Sequence, residues 1–204
     1  MKYLKTLTLV AVAVMALMAV AGAATSSASV LKQRTSSGID TIAIGTELEL
    51  TLEKETSMFF EDAFGLTAMT CTGSIIKVKL ERVTPTGQPK GKVSSFPLSP
   101  CGHTVDTEAG GELEIRNIAG TTNGTVFSSG LKIKTFNTLL NQNCIINTGA
   151  GTDIGTLTAA SSPTGKATLD INGLMPMEGC SASNGRWTGK YELTKPVGLV
   201  VEAS

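Results

Sequence analysis

Residues 47–53 read ELELTLE, in which every second side chain is leucine and the others are glutamate or threonine. Successive side chains of a β-strand point to opposite faces, so this alternation predicts a strand with one apolar and one polar face. Such strands are typical of antiparallel sheets that are buried on one side only. The same period recurs in IKVKLE (76–81), ELEIR (112–116), LKIK (131–134) and KATLDI (166–171).

Turn signals separate these segments at short intervals. Asn-Gly pairs at residues 123–124, 172–173 and 184–185 favour tight hairpins, because both residue types tolerate a positive φ angle. Pro-Thr-Gly at residues 85–87 and 163–165 is typical of looser turns. No helical period of useful length follows the N-terminal segment. The sequence therefore predicts an all-β fold, either an antiparallel β-sandwich or a jelly-roll-like barrel.

The N-terminus has the pattern of a secretory signal peptide. Lys2 and Lys5 precede an apolar run over residues 7–21, and small side chains follow it. This run of 15 residues is shorter than the roughly 20 that a membrane-spanning helix needs. We expect residues 1–23 to be a helical signal peptide that is removed on export. A retained membrane anchor is the alternative, since no charge occurs between Lys5 and Lys32.

The remaining chain divides into an arm and a domain. Residues 24–38 are rich in serine and lack alternation, which predicts a flexible N-terminal arm. Residues 39–204 carry the alternating segments and are long enough for a single β-sandwich domain with its own core. The chain has 17 basic and 17 acidic residues, so loss of Lys2 and Lys5 leaves a net charge of −2. This charge and the scattered lysines argue against a nucleic-acid partner.

Four cysteines follow the leader: Cys71, Cys101, Cys144 and Cys180. An even number of cysteines in an exported chain predicts two disulfides and a location outside the cytoplasm. Four cysteines allow three pairings. We favour Cys71–Cys101 with Cys144–Cys180, because each bond then closes a local group of strands.

Residues 57–65 read SMFFEDAFG and bring Phe59, Phe60 and Phe64 close together beside two acids. Two interpretations are open. The rings form an aromatic lip over a ligand, or they cover the open end of the core where a strand bends. We favour the second interpretation and keep these three phenylalanines as the candidate binding residues of the first.

The only tryptophan, Trp187, and the only tyrosine after the leader, Tyr191, lie near the C-terminus. Alternation places both rings on the same strand face as Leu193, while Thr188 and Lys190 lie on the opposite face. Burial of a ring of this size contributes roughly 2–3 kcal/mol to stability. We therefore expect the two rings to pack in the core rather than to form a ligand platform.

The chain offers little for catalysis. His103 is the only histidine, no G-x-S-x-G motif occurs, and the nearby Cys101 is expected to be oxidised. One histidine and paired cysteines do not suffice for zinc, and Asp153 alone does not make a calcium loop. Solvated strand faces explain the acids Glu47, Glu49, Glu112 and Glu114. We predict no catalytic residue, no metal site and no cofactor.

Two segments carry a resemblance. GLTAMTCTGSIIKVKL (65–80) and CSASNGRWTGKYELTKPVGLVVEA (180–203) resemble a group of secreted bacterial β-rich proteins. In that group a late cysteine precedes a W-x-x-x-Y-x-(L/V)-T-x-P ending and a short apolar final strand. The resemblance spans most of the chain from about Gly65 onward. It implies an exported β-rich fold and assigns no activity and no site residues.

These observations favour an exported, non-enzymatic protein with a structural or adhesive role at the cell envelope or outside the cell. The alternative is a small-ligand or glycan-binding module that uses Phe59, Phe60 and Phe64. A cell-wall or extracellular glycan is the candidate partner in that case. Contact with a membrane is expected only through the leader, if it is retained.

Overall fold

The computed structural model describes residues 28–62, 67–83, 87–102, 104–137, 142–180 and 182–204. These residues form strands and connecting turns without an α-helix, which confirms the all-β prediction. The strands are, in chain order, β1 (Ser29–Thr35), β2 (Gly38–Thr41), β3 (Glu47–Leu52), β4 (Met58–Asp62), β5 (Thr67–Cys71), β6 (Ile75–Arg82), β7 (Lys90–Ser95), β8 (Val105–Glu108), β9 (Glu112–Asn117), β10 (Gly124–Ser129), β11 (Lys132–Asn137), β12 (Gln142–Asn147), β13 (Thr152–Thr158), β14 (Thr168–Glu178), β15 (Asn184–Lys195) and β16 (Leu199–Ala203).

Eight strands form a closed antiparallel barrel in the order β15-β3-β6-β7-β9-β10-β13-β14. Pairing between β14 and β15 closes it, with Leu169 opposite Tyr191. Closure leaves these eight strands without a free edge. Of the two architectures that the sequence left open, the structure has the barrel, although with a different topology from a jelly roll.

A second layer extends from one end of the barrel. It consists of β4, β5, β8, β11 and β12 together with the C-terminal end of β14 and the N-terminal end of β15, which are joined by the turn between them. The β4–β5 hairpin connects β3 to β6, and the β11–β12 hairpin connects β10 to β13. β4 pairs with β15, and β12 pairs with β14. The long β14–β15 hairpin therefore belongs to both layers.

The segment between β7 and β9 spans the two edges of the second layer. Before residue 103 it pairs with β5, where the Thr72 amide donates to the Pro100 carbonyl at 2.9 Å and the Gly102 amide to the Thr70 carbonyl at 3.0 Å. After residue 103 it forms β8, which pairs with β11. The hydrogen-bonded edges of both β5 and β11 are therefore covered, which limits unwanted pairing with another chain.

A three-stranded sheet in the order β16-β1-β2 packs at the opposite end of the barrel. Leu31 of β1 lies opposite Val201 of β16, and both are fully buried. The Ser29 hydroxyl accepts a hydrogen bond from the backbone N–H of Asn117 at the end of β9, at 2.7 Å. We call this unit the capping sheet.

The capping sheet corrects the expectation of a flexible arm over residues 24–38. Residues 29–35 form β1, and β2 begins at Gly38, so this segment is part of the folded domain with residues 39–204. The strand was missed because one of its two partners, β16, lies at the far end of the chain; the other is the neighbouring β2. Residues 24–27 and the expected signal peptide, 1–23, lie outside the described residues. In the described part of the chain, no helix is long and apolar enough to cross a bilayer.

The apolar faces that alternation predicts do point inward. Leu48, Leu50 and Leu52 are 3–6 % exposed, and the corresponding side chains of β6, β9, β14 and β15 are also buried. They belong to one continuous core cluster that runs from the capping sheet through the barrel into the second layer. Sequence periodicity therefore identified the core correctly.

None of the three Asn-Gly pairs forms the expected tight hairpin; at residues 123–124 the pair lies where the loop of residues 118–123 enters β10. Residues 172–173 lie inside β14, and residues 184–185 begin β15. Gly173 is the cross-strand partner of Trp187, and a Cβ atom on Gly173 would lie only 2.9 Å from the Asp153 carbonyl oxygen. The glycine is needed here because a side chain would collide with the backbone of β13, and this requirement overrides the local turn preference.

Both predicted disulfides are present, with the favoured pairing of Cys71 to Cys101 and Cys144 to Cys180. The first links β5 to the segment that spans the layer edges, and the second links β12 to the end of β14. Loops of 30 and 36 residues correspond to about 3–4 kcal/mol of stabilisation each. Both bonds lie in the second layer, where they tie neighbouring extensions of the barrel together.

The role of β1 predicts a contrast between a buried aliphatic residue of β1 and an exposed one of β2. Leu31→Ala should lower the free energy of unfolding by about 2–5 kcal/mol, because it leaves a cavity in the core. Ile39→Ala is the matched control, since Ile39 is 43 % exposed and should change stability by about 0.5 kcal/mol. Urea unfolding followed by circular dichroism measures both. Equal, small effects would show that β1 is not part of the cooperative fold.

Candidate functional site

The three candidate phenylalanines do not form one aromatic lip. Phe60 points into the core and is fully buried, whereas its neighbour Phe59 points outward and is 36 % exposed. Phe64 lies outside the described residues. The interpretation that phenylalanines cover the core therefore holds for Phe60, and Phe59 is the ring that a ligand could reach.

Trp187 is 1 % exposed and lies in the core, as expected. Its indole stacks on Phe60 with ring centroids 5.6 Å apart and an interplanar angle of 20°. Phe96 packs against it at the same centroid distance, tilted by 40°. Such pairs add about 0.5–1.5 kcal/mol beyond the burial of their area. The indole Nε1 has no hydrogen-bond acceptor among the described residues.

Tyr191 is also fully buried, so neither ring forms a surface platform. Its hydroxyl donates to the Ser74 hydroxyl at 3.0 Å, which provides the partner that a buried phenol requires. Burial raises the pKa of Tyr191 well above its ordinary value, and the contact with Ser74 only partly offsets this. The hydroxyl is thus a neutral structural group.

The outward faces of β4, β15 and β14 form a flat surface directly above these rings. Cross-strand register places six side chains in two parallel rows. We call this surface the outer platform; it consists of Phe59, Thr188 and Asn172 in one row and Glu61, Arg186 and Leu174 in the next. Arg186 donates from Nη1 to the Asn172 Oδ1 at 2.6 Å, and Leu174 is 55 % exposed.

The interior of the barrel is filled by side chains. A cavity of about 20 Å³ remains, lined by residues that include Leu50, Val78 and Leu169. This volume is roughly that of one water molecule, and apolar cavities of this kind stay dry. Ligand pockets for small molecules are typically about 300–1,000 Å³. The barrel interior is therefore a packed core and not a ligand chamber.

The acids on the barrel wall are engaged in ion pairs with neighbouring strands. Glu49 lies 3.5 Å from the Lys77 ammonium and 3.4 Å from that of Lys195, and it accepts a hydrogen bond from the Thr194 hydroxyl. Desolvation raises the pKa of Glu49, but the hydrogen bond and the two lysines together outweigh it, so the pKa lies below its ordinary value. This carboxylate is held ionised, as a solvated strand face predicts.

Open grooves on the surface are lined by both polar and apolar residues. The groove between the β3–β4 turn and residues 72–75 and 97–99 has a volume of about 590 Å³. Glu53 on its rim pairs with Lys190 at 3.1 Å. Among the described residues, no three His, Cys, Asp or Glu side chains are close enough together to hold a metal ion.

His103 lies outside the described residues, so the structure does not place it relative to Asp106. Asp106 lies on β8 and is exposed. Cys101 is in a disulfide and has no thiol to offer as a nucleophile.

Comparison with protein family models, with curated proteins and with solved structures found no match to this chain. The outer platform was not apparent from the sequence, because it depends on the register among three strands, one of which, β4, is far from the β14–β15 hairpin in the chain. The only signal was local: Phe59 and Thr188 occupy the polar face of alternating strands whose other face holds Phe60 and Trp187.

The burial of Tyr191 predicts its behaviour in alkali. Its folded pKa exceeds the ordinary 10.0, so its contribution to stability is complete below pH 10 and is lost as the pH rises toward the folded pKa. In a Tyr3→Phe chain, where Tyr191 is the sole tyrosine, we expect tyrosinate absorbance to appear together with loss of native Trp187 fluorescence.

The matched control is Tyr191→Phe, which should remove the tyrosinate signal and move alkaline unfolding to higher pH. Tyrosinate formation with a midpoint near pH 10.0, the ordinary value, while Trp187 fluorescence stays native, would contradict the buried position of the phenol.

Proposed function

We propose that the protein is exported and non-enzymatic, with a structural or adhesive role at the cell envelope or outside the cell, and that it meets its partner with its outer surface. The observation that carries this proposal is the filled core. A barrel with only about 20 Å³ of free interior, packed between the capping sheet and the second layer, offers a partner its exterior alone.

Export is supported by two independent features. Residues 1–23 have the sequence of a signal peptide, and the four cysteines form two disulfides. Disulfides persist in oxidising compartments and are rare in the cytosol. Because both bonds join extensions of the barrel, the second layer is the part of the fold that depends most on such an environment.

A non-enzymatic role is supported by the placement of the reactive side chains. Glu114 on the barrel wall contacts the Lys90 ammonium at 3.0 Å and Arg116 Nε at 2.7 Å, an arrangement that stabilises the sheet. Catalytic carboxylates instead require a facing partner and a substrate cleft. The buried Tyr191 hydroxyl is directed at Ser74 and away from solvent.

The alternative, a small-ligand or glycan-binding module, divides into two cases. An internal small ligand is not supported, because the barrel is filled. A glycan at the surface is favoured by one specific observation: Phe59 is exposed beside polar side chains that are fixed on rigid strands.

The proposal is tested by following the full chain, produced with its own leader in a bacterial host. We expect mass spectrometry of the extracytoplasmic fraction to find a chain lacking about the first 23 residues. Its four cysteines should resist alkylation until a reductant is added. The purified protein should co-sediment with insoluble cell-wall material.

The control is Val14→Arg, which places a charge in the apolar run of the leader and should block export. A reduced, cytoplasmic wild-type chain would overturn the proposal. So would turnover of an ester, peptide or glycoside substrate by the purified protein.

A further inference from the structure

We propose that the outer platform is a glycan-binding surface that takes an uncharged polysaccharide chain, with Phe59 as the stacking ring and Arg186 as the main hydrogen-bond donor. This inference rests on the proposed function, in which the partner binds at the outer surface, and it names that partner's chemistry.

The dimensions of the platform suit a short run of sugar rings. Phe59 on β4 and Leu174 on β14 are both exposed, and β15 lies between these two strands. The two residues belong to neighbouring rows of the platform. Standard sheet spacing puts their Cα atoms about 12 Å apart. This distance corresponds to about two consecutive sugar rings lying flat on the sheet.

The side-chain chemistry matches the two sides of a sugar ring. A pyranose presents C–H groups on its face and hydroxyl groups around its edge. The exposed face of Phe59 provides an apolar contact for the C–H groups. The Thr188 hydroxyl, in register with Phe59, and the Arg186 guanidinium, with its five N–H donors, are placed to bind the surrounding hydroxyl groups.

The platform is held rigid before a ligand arrives. The guanidinium of Arg186 is fixed by its 2.6 Å hydrogen bond to Asn172. Phe59 and Thr188 are adjacent in sequence to Phe60 and Trp187, which stack in the core beneath them. Pre-organised side chains lose less conformational entropy on binding, so a weak stacking contact yields more net affinity.

Charge and size select a sugar over other partners. The platform carries one cation, Arg186, and one acid, Glu61, in register with each other, so its formal charge is balanced and a polyanion gains little. A stable protein interface buries about 800 Å² on each side. Six side chains, of which Phe59 and Leu174 are the only large exposed apolar ones, fall well short of this.

The test uses purified, disulfide-intact protein on an array of uncharged and acidic oligosaccharides, followed by co-sedimentation with insoluble cellulose and chitin. We expect binding to uncharged glycans that is weakened about tenfold or more by Phe59→Ala. Arg186→Gln should weaken it less, and Phe59→Tyr should retain it.

Ile39→Ala is the matched control, because Ile39 is an exposed apolar residue on the capping sheet, away from the platform. It should leave binding unchanged. Native Trp187 fluorescence and an unaltered urea midpoint would show that Phe59→Ala still folds.

Three outcomes would overturn the inference: no glycan binding, binding confined to acidic glycans, or binding that Phe59→Ala leaves intact. Each is distinguishable from failure of the proposed function. A protein that is exported and co-sediments with cell-wall material, yet binds no glycan on the array, would refute the platform while leaving the broader role standing.

Discussion

The fold depends on the length of the β14–β15 hairpin. Its strands have 11 and 12 residues, and nine consecutive pairs join them, from Thr168–Glu192 to Pro176–Asn184. One half of the hairpin closes the barrel, and the other half is the middle of the second layer. Trp187 lies in this hairpin and packs against Phe60 and Phe96. The barrel and the second layer therefore share strands as well as a core.

The same hairpin supports the proposal that a partner binds at the exterior. Its inward side chains pack into the core, which leaves a cavity of only about 20 Å³ in the barrel and no chamber for a ligand. Its outward side chains beside Trp187 are set in register by the pairing of β15 with β4 and β14. Arg186 and Thr188 therefore lie at fixed positions along the sheet, and the proposed recognition of a partner there requires no rearrangement of the backbone.

Sequence periodicity predicted the features that depend on residues close together in the chain. It identified the buried faces of β3 and β15 and the core position of Trp187, and it gave the disulfide pairing from proximity along the chain. It missed β1, one of whose two partner strands is more than a hundred residues away. It misread Gly173 as a turn residue because the requirement for glycine comes from the backbone of β13, which lies against it in the fold. The outer platform was missed for the same reason, since cross-strand register is a tertiary property.

Native-state hydrogen exchange of the disulfide-intact protein tests most directly whether the hairpin unites the two layers. The account predicts that amides in both halves of β15, such as those of Trp187 and Leu193, exchange only through global unfolding and give the same opening free energy. A markedly lower opening free energy for residues 184–188 than for residues 190–195 would contradict it. The second layer would then open on its own, and the barrel alone would be the cooperative unit.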